Sequence, residues 1–413
     1  MDAPGVSFTM SLEEPNHGTI EAVMAHLRTL DDLPLDGKRV LVRVDFNVYV
    51  GEDGKVDSTE DFRLEAAVQT IQELQQRRCK VLLLTHLGRP KNAVDGMDMA
   101  PIKSRLERLI GEDVRAIGEL YGPGVHAAVD GMDPGQVALL PNVRLDHREE
   151  TGNLRFAHDL AHNGDMFVNE AFSVVHRAHA SVAFLPQELP SCAGRRTVLE
   201  VEQLSRLIDN IKKPYVALIG GAKITTKIGM IHDLLGKVDT LCVGGQLANI
   251  FIAALGHYPH KNFTVDDIAA AQYILERGAK KLLLPIDLIT GDEGGKDLKV
   301  VDVDSIPPDA DGLYDIGPKS LELFLARLRQ AETIMWNGPI GKFEVEAYAK
   351  SSRSVAREMA TMSAYRAVGG GNTVNMLEEE KVIGKYDHVS VGGGAMIAFL
   401  EGKTLPGLMP LYD

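Results

Sequence analysis

Lys80-Val-Leu-Leu-Leu-Thr85 is apolar at every position between its ends, so both of its faces can be buried at once. A parallel sheet covered by helices on both sides is the environment that accepts such a run. Runs of the same kind recur near Val137–Leu140, Met166–Val168, Val216–Ile219, Leu241–Val243, Lys281–Leu284, Thr333–Trp336, Tyr365–Val368 and His388–Val391. Arg39 to Val48 reads as the first strand, with Asp45 and Asn47 on one side of its end by two-residue alternation. Between the strands the period changes. Leu64, Ala67, Val68, Ile71 and Leu74 predict a helix over Arg63 to about Arg78, and further helices are expected near Ile102–Ile110 and Leu154–His162. Strand–helix alternation predicts an α/β chain, and its 413 residues suggest about two or three domains. From Val198 to Asn210 the helical pattern is unbroken until Lys212-Lys213-Pro214, which reads as a helix joining two such units.

Composition removes several alternatives. A net charge of −14 argues against nucleic acid as a partner. Cys79, Cys192 and Cys242 are widely spaced, without a C-x-x-C pair, and read as small core hydrophobes. Met1 to about Val23 has no basic start and no apolar core, so it is not a signal peptide. No apolar run approaches the ~18 residues of a membrane span. The expectation is a cytoplasmic protein with no membrane partner.

Ligands of parallel α/β sheets bind outside the carboxyl ends of the strands. In the first half those ends carry Asp45, Asn47, His86, Arg89, Arg144, His176 and Arg177, with Lys91 close to His86 and Arg89. Guanidinium forks suit a small, strongly anionic substrate. In the second half the ends carry Gly220-Gly221, Gly244-Gly245, Gly369-Gly370-Gly371 and Gly392-Gly393-Gly394, which suit the phosphates and ring of a nucleotide. A helical pattern from about Ile224 would place Lys223 and Lys227 on one face, four residues apart. Neither a Walker A loop nor G-x-G-x-x-G is present. Taken singly, each feature has a plainer meaning: a solvated rim arginine, a satisfied loop histidine, a turn at Trp336-Asn-Gly-Pro339. Their accumulation at the same edge of two sheets points to phosphoryl transfer between an acidic metabolite and a nucleotide across an interdomain cleft, chemistry that needs positioning and positive charge.

Over residues 30 to 410 the chain resembles the phosphoglycerate kinases. The matching stretches are Arg43-Val-Asp-Phe-Asn-Val48, His86-Leu-Gly-Arg-Pro90, Asn142-Val-Arg144, His176-Arg-Ala-His-Ala-Ser181, Gly220-Gly-Ala-Lys223 with Lys227, Trp336-Asn-Gly-Pro339 with Phe343-Glu344, Gly369-Gly-Gly371 with Thr373, and Gly392-Gly-Gly-Ala395. The resemblance implies two Rossmann-like domains, each a parallel sheet with helices on both faces, joined by an interdomain helix and hinge. The expected partition is 1–197, with about 1–25 as an extension, then the interdomain helix 198–213 and the nucleotide domain 214–400. The tail 401–413 is expected to return to the first domain. It further implies reversible transfer from 1,3-bisphosphoglycerate to ADP with Mg²⁺, giving 3-phosphoglycerate and ATP, by a monomer. Asp45, Phe46, Asn47, Arg63, His86, Leu87, Gly88, Arg89, Arg144 and Arg177 would hold the phosphoglycerate, with Arg63 also on the group in flight and His86 helping to neutralise the phosphate. Lys223 and Lys227 would hold the nucleotide phosphates and the transferring group. Gly221, Asn337, Gly370, Gly371, Asn372 and Thr373 would complete the phosphate end, Glu344 would take the ribose, and Gly244, Gly245 and Gly312 the adenine.

Five positions depart from the family pattern. Asn372 stands where an aspartate usually meets the metal–nucleotide, and Thr226 replaces a usual aspartate. Glu170, Tyr49 and Gln246 replace a usual aspartate, proline and third glycine. An amide at 372 can offer one neutral oxygen to Mg²⁺, so weaker metal binding is expected. The alternative that Thr226 and Asn372 motivate is a binding-only relative, a sensor or scaffold without turnover.

Overall fold

The computed structural model describes residues 26–51, 53–57, 61–90, 98–209, 211–221, 224, 227–259, 262–278, 280–308, 310 and 312–413. The extension, Lys91, Lys223 and Thr226 lie outside the described residues.

Two six-stranded parallel sheets organise the chain. The first comprises β1 (Arg39–Arg43), β2 (Lys80–Leu84), β3 (Val114–Ala116), β4 (Val137–Leu139), β5 (Met166–Asn169) and β6 (Ser191–Ala193), in the order β3-β4-β2-β1-β5-β6. The second comprises β7 (Tyr215–Ile219), β8 (Thr240–Val243), β9 (Leu282–Leu283), β13 (Thr333–Asn337), β14 (Tyr365–Gly369) and β15 (His388–Ser390), in the order β15-β14-β13-β7-β8-β9. An antiparallel sheet that the sequence reading lacks is inserted within the second, between β9 and β13 in the chain: β10 (Asp287–Thr290), β11 (Lys299–Asp302) and β12 (Leu313–Ile316).

Alternation within each strand explains why helices cover both faces. Val40, Val42, Val81 and Leu83 pack with Leu64, Ile71, Ile102 and Leu106 of the helices Asp61–Gln76 and Ala100–Ile110. Leu41, Leu82 and Leu84 point the other way, onto Val125, Val129, Phe156 and Leu160 of the helices Pro123–Asp130 and Leu154–Ala161. In the second sheet Val216, Leu218 and Trp336 face Phe324 and Val355, while Ala217, Ile219 and Met335 face Met230, Ile231 and Leu247. Each such two-sided strand is the apolar run seen in the sequence.

Element ends depart from the expected ones for local reasons. β1 stops at Arg43, so Asp45 and Asn47 lie in the loop beyond it and not on strand alternation. The helix Asp61–Gln76 ends early because Arg78 takes a left-handed φ of 58°, with Cys79 N–H donating back to Leu74 O at 3.0 Å. The joining helix begins at Arg195 and ends at Ser205, in place of the expected 198–210. Its start is set from outside. Glu170, just past β5, accepts from Arg196 N–H at 2.9 Å and Thr197 N–H at 3.2 Å, satisfying two first-turn donors.

The same helix is anchored to the second sheet by Glu200, which is fully buried. Its carboxylate meets His388 Nε2 at 2.9 Å and accepts from Arg196 Nη2 at 2.7 Å and Val391 N–H at 2.9 Å. Burial alone would raise this carboxyl, yet His388 and Arg196 bring it down to about 2. Removing it leaves Arg196 without its carboxylate and the His388 ring and Val391 N–H without their acceptor in the interior, so Glu200→Ala should cost about 3–5 kcal/mol in urea unfolding at neutral pH. Because the folded pKa is depressed, the wild-type advantage is fully present above about 4.5 and fades as pH falls toward about 2. An equal loss at pH 7 and at pH 2 would contradict this account.

Candidate functional site

In the first sheet β1 lies between β2 and β5, so the chain reverses direction at the β1/β5 junction, the place where α/β sheets open a crevice. Asp45 follows β1 there. Its Oδ2 accepts from Ser173 Oγ at 2.5 Å and from Arg63 Nη1 at 3.2 Å, and its Oδ1 accepts from Asn47 N–H at 3.2 Å. Burial would raise the Asp45 carboxyl, but the Arg63 guanidinium beside it, the Ser173 bond and Arg43 hold it below the ordinary range. Asn47 Oδ1 accepts from Gly88 N–H at 2.7 Å, and Arg144 Nη1 donates to Gly88 O at 2.7 Å. Asn142 ties the next loop in, donating to Leu87 O at 2.7 Å and accepting from Arg144 N–H at 3.0 Å. Phe46 is buried beneath the loop; Arg89 is exposed and Arg177 half-buried.

Arg43, quoted in a motif but given no role by sequence, lies under this cluster with 1% of its surface exposed. It donates to Ser181 Oγ at 2.9 Å and to Val44 O, and its Nη2 lies 3.3 Å from His86 Nδ1. A guanidinium only donates, so Nδ1 of His86 accepts and Nε2 carries the proton. Burial, together with Arg43, Arg144 and Arg177, pushes His86 far below its usual pKa. His86 is therefore a neutral donor, which corrects the expectation that it adds positive charge. A charged residue ending an apolar strand was the signal available for Arg43.

The second sheet has its own reversal at β7/β13. Gly220 N–H donates to Asn337 O at 3.0 Å, and the chain turns at Gly221 and Gly338 with φ of 110° and 90°. Both angles favour glycine. Lys227 is folded into this junction: its Nζ meets Asn337 Oδ1 at 2.9 Å and Asn337 O at 3.3 Å, and also Gly220 O. A Cβ on Gly338 or Gly221 would come within 2.8 or 3.1 Å of that ammonium. Burial draws the Lys227 pKa down to about 8. The described helix starts at Ile228, and Lys227 precedes it with φ −125°; the helical face expected for Lys223 with Lys227 falls partly outside the described residues.

Beyond the junction opens a cavity of about 460 Å³. Gly221, Gly245, Gly312, Glu344 and Asn372 line it, together with Asn249, Tyr314, Lys342 and Glu293, which sequence reasoning missed. Lys342 Nζ pairs with Glu293 Oε1 at 2.9 Å and stands 5.2 Å from the Tyr314 ring centre. Gly244 starts the helix Gly245–Ala254 and is packed against Ile340, so it does not line the cavity. Gly370 and Gly371 open the helix Gly371–Glu379, whose Thr373 Oγ1 accepts from Gly338 N–H at 3.0 Å. Asn337 Nδ2 is buried without a hydrogen-bond partner. Among the described residues no cluster of three or more His, Cys, Asp or Glu could hold a metal.

The two strand edges meet through the loop after β5. Phe172 packs edge-on to Phe399 with ring centres 6.2 Å apart, and the His176 ring lies beside Gly394.

A family model described as phosphoglycerate kinase matches residues 30–403. The phosphoglycerate kinase of Pelotomaculum thermopropionicum is 42% identical over 393 residues, 94% of this chain and 99% of that protein. That of Moorella thermoacetica is 42% identical over 392 residues, covering 93% and 99%. Among solved structures, phosphoglycerate kinase from Coxiella burnetii superposes with a TM-score of 0.81 at 36% identity, over 94% of this chain and 99% of that one. The Pyrococcus horikoshii enzyme gives 0.83 at 28% identity, over 93% and 98%.

Proposed function

We propose a division of labour among the site residues of this chain, which belongs to the phosphoglycerate kinase family. Its reaction is reversible phosphoryl transfer from 1,3-bisphosphoglycerate to ADP, giving 3-phosphoglycerate and ATP, a glycolytic step with a carboxyl group as acceptor in reverse. The observation that carries the assignment of roles is the pairing of two chain reversals, one rimmed by Asp45, Arg63 and Arg144, the other by glycine turns around Lys227.

An oxygen of the ADP β-phosphate attacks the acyl phosphorus, the bond to the carboxyl oxygen breaks, and 3-phosphoglycerate leaves as its carboxylate. No general base is required, since the attacking oxygen is already ionised and the leaving group is a stable anion. Asp45 and Asn47 orient the glycerate end, while Arg144, Arg177 and Arg89 balance its phosphate and neutral His86 donates one hydrogen bond. Phe46, Leu87 and Gly88 shape the floor. Arg63, Lys223 and Lys227 carry the charge that develops on the transferring group. Gly221, Gly370, Gly371, Asn337 and Thr373 serve the phosphates, with Gly244 as packing support. Gly245 and Gly312 would flank the base and Glu344 the ribose. Closure about the helix Arg195–Ser205 would exclude water.

Mg²⁺ supplies countercharge to the nucleotide phosphates. With no acidic cluster described, those phosphates would provide most of its ligands and Asn372 at most one neutral oxygen. Asn372 is exposed in the first turn of its helix, where a carboxylate is tolerated. Asn372→Asp should therefore tighten Mg-nucleotide binding by about threefold to tenfold in a Mg²⁺ titration; unchanged Mg²⁺ dependence would dismiss the missing charge as irrelevant.

We further propose a cytoplasmic monomer without nucleic-acid partners, divided at 1–197, 198–213, 214–400 and 401–413. In the former, the net charge of −14 supports the absence of nucleic-acid partners. The tail supports the latter: Tyr412 bridges to Leu27, Arg28 N–H donates to Leu411 O at 3.0 Å, and Asn169 Nδ2 to Gly407 O at 3.2 Å. No helix among the described residues is long and apolar enough to cross a membrane. The test is 3-phosphoglycerate-dependent ATP consumption coupled to NADH oxidation. Turnover of ~10 per second or more is expected, with none on acetate or aspartate. Binding of phosphoglycerate without turnover would instead support the sensor alternative.

A further inference from the structure

We propose that His158 and His162 form a metal site of their own, at the opposite edge of the first sheet from the phosphoglycerate residues, which takes a divalent transition metal ion such as Zn²⁺, Ni²⁺ or Cu²⁺. The two lie four residues apart on the helix Leu154–Ala161, whose backbone stays helical into His162 with φ −61° and ψ −18°. They therefore share one face. Both are exposed, while Phe156, Ala157, Leu160 and Ala161 of the same helix are buried. Past its last turn Asp165 N–H donates to Arg39 O at 2.8 Å, at the start of β1. That end of the helix thus lies at the amino ends of the strands, whereas Asp45 and Arg144 follow carboxyl ends.

Each ring has one nitrogen already committed. His158 Nδ1 lies 3.0 Å from Glu188 Oε2, and His162 Nδ1 lies 2.8 Å from His158 O. A carboxylate and a peptide carbonyl only accept, so in both neutral rings Nδ1 carries the proton and Nε2 keeps its lone pair. No hydrogen bond to either Nε2 is found among the described residues. Metal-binding histidines divide their nitrogens in this way, one on the metal and the other donating to a carboxylate or a backbone carbonyl. The spacing agrees. A metal ~2.0 Å from Nε2 stands ~3.2 Å from the ring centre, so two imidazoles ~90° apart at one metal hold their centres ~4.5 Å apart. The two ring centres here are 4.6 Å apart. Charge favours a cation as well: the pair ends a helix, at the negative end of its dipole, and Arg155 one turn earlier is drawn onto Asp159 at 3.1 Å. Two imidazoles, with water in the remaining positions, suit Cu²⁺, Ni²⁺ and Zn²⁺. They offer Mg²⁺ nothing that it prefers to its own hydration shell, so the nucleotide's cation does not compete.

Calorimetric titration of the untagged full-length protein with Zn²⁺ and with Ni²⁺, in millimolar Mg²⁺, tests this directly. Each should bind with a micromolar dissociation constant. His158→Ala or His162→Ala should weaken that binding by about tenfold or more, since either change leaves one imidazole where two acted together. Both side chains are exposed, so the variants keep the fold. Glu188→Gln, which retains both ligands but not the charge behind His158, should weaken it by a smaller factor of about threefold. Failure of the wild-type protein to bind either metal overturns the proposal. So does unaltered affinity in the two alanine variants, which would place the metal on other histidines of the chain, and so does displacement of Zn²⁺ or Ni²⁺ by Mg²⁺.

Discussion

Arg63→Ala should lower kcat by about 10²–10³ while changing the KM for 3-phosphoglycerate by only a few-fold. Arg63 stands in the first turn of the helix Asp61–Gln76, with Nη1 3.2 Å from Asp45 Oδ2 and its guanidinium 5.4 Å from the Phe62 ring centre. Asp45 does not depend on it alone, because Ser173 Oγ holds the same oxygen at 2.5 Å. The residues that orient the glycerate end therefore stay in place when the guanidinium is removed. What is lost is a planar, permanently charged fork able to follow negative charge onto the phosphoryl group in flight. That loss falls on the transition state and spares the ground state. Lysine should restore only part of the rate, since a point charge cannot reproduce the fork. Steady-state kinetics at saturating ATP decide the matter: equal losses in kcat and in phosphoglycerate affinity would make Arg63 an ordinary binding residue.

The sequence was most legible where physical chemistry acts locally. Strands buried on both faces must be apolar throughout, so β1, β2, β4, β5, β7, β8, β9, β13, β14 and β15 were visible as runs. β3 and β6 were not, because Val114-Arg-Ala116 is largely exposed and Ser191-Cys-Ala193 is made of small residues, so neither shows as an apolar run. The antiparallel sheet was hidden for a different reason. Asp287 and Asp315 are buried inside its strands, each kept there by local bonds. Asp287 caps the helix Pro318–Leu328 through Lys319 and Ser320 N–H, and burial pushes Asp315 up to about 7. Charged residues break the apolar run, and β11 is largely exposed. The site shows the same division. Glycine turns and strand-end arginines could be read, since each follows from a strand meeting a loop. The charge on His86 could not, because it depends on Arg43 from another strand and on burial. Nor could Asn249, whose orientation is set by a carbonyl 64 residues away.

Lys227→Met should reduce kcat/KM for nucleotide by about 10³ yet leave the nucleotide-free protein within about 1 kcal/mol of wild-type stability. The two halves of that expectation come from one arrangement. The ammonium sits among Gly220 O, Asn337 O and Asn337 Oδ1, buried between glycines that have no side chain to displace it. Desolvation works against the charge, while the three oxygens favour it; methionine relieves the first and leaves carbonyls short of a donor, so the terms largely cancel. For catalysis nothing cancels, because a thioether cannot balance a phosphate. The same burial, which lowers the lysine to about 8, sets the pH dependence. Its unfolded pKa is near ~10.4, so the folded state prefers the neutral amine. The charged form costs folding stability in full below about 8, and that cost fades as pH rises toward ~10.4. Chemical unfolding should therefore show wild-type protein gaining stability relative to Lys227→Met across that window. Activity runs the opposite way: kcat/KM for nucleotide should fall as pH rises through about 8, where the free enzyme loses the ammonium. Bound phosphates favour the charged form, so the fall in kcat should lie at higher pH than the fall in kcat/KM. A kcat/KM profile that stays flat to pH 9, with the stability difference unchanged, would remove Lys227 from the transfer and leave Lys223 as the cation of this half of the site.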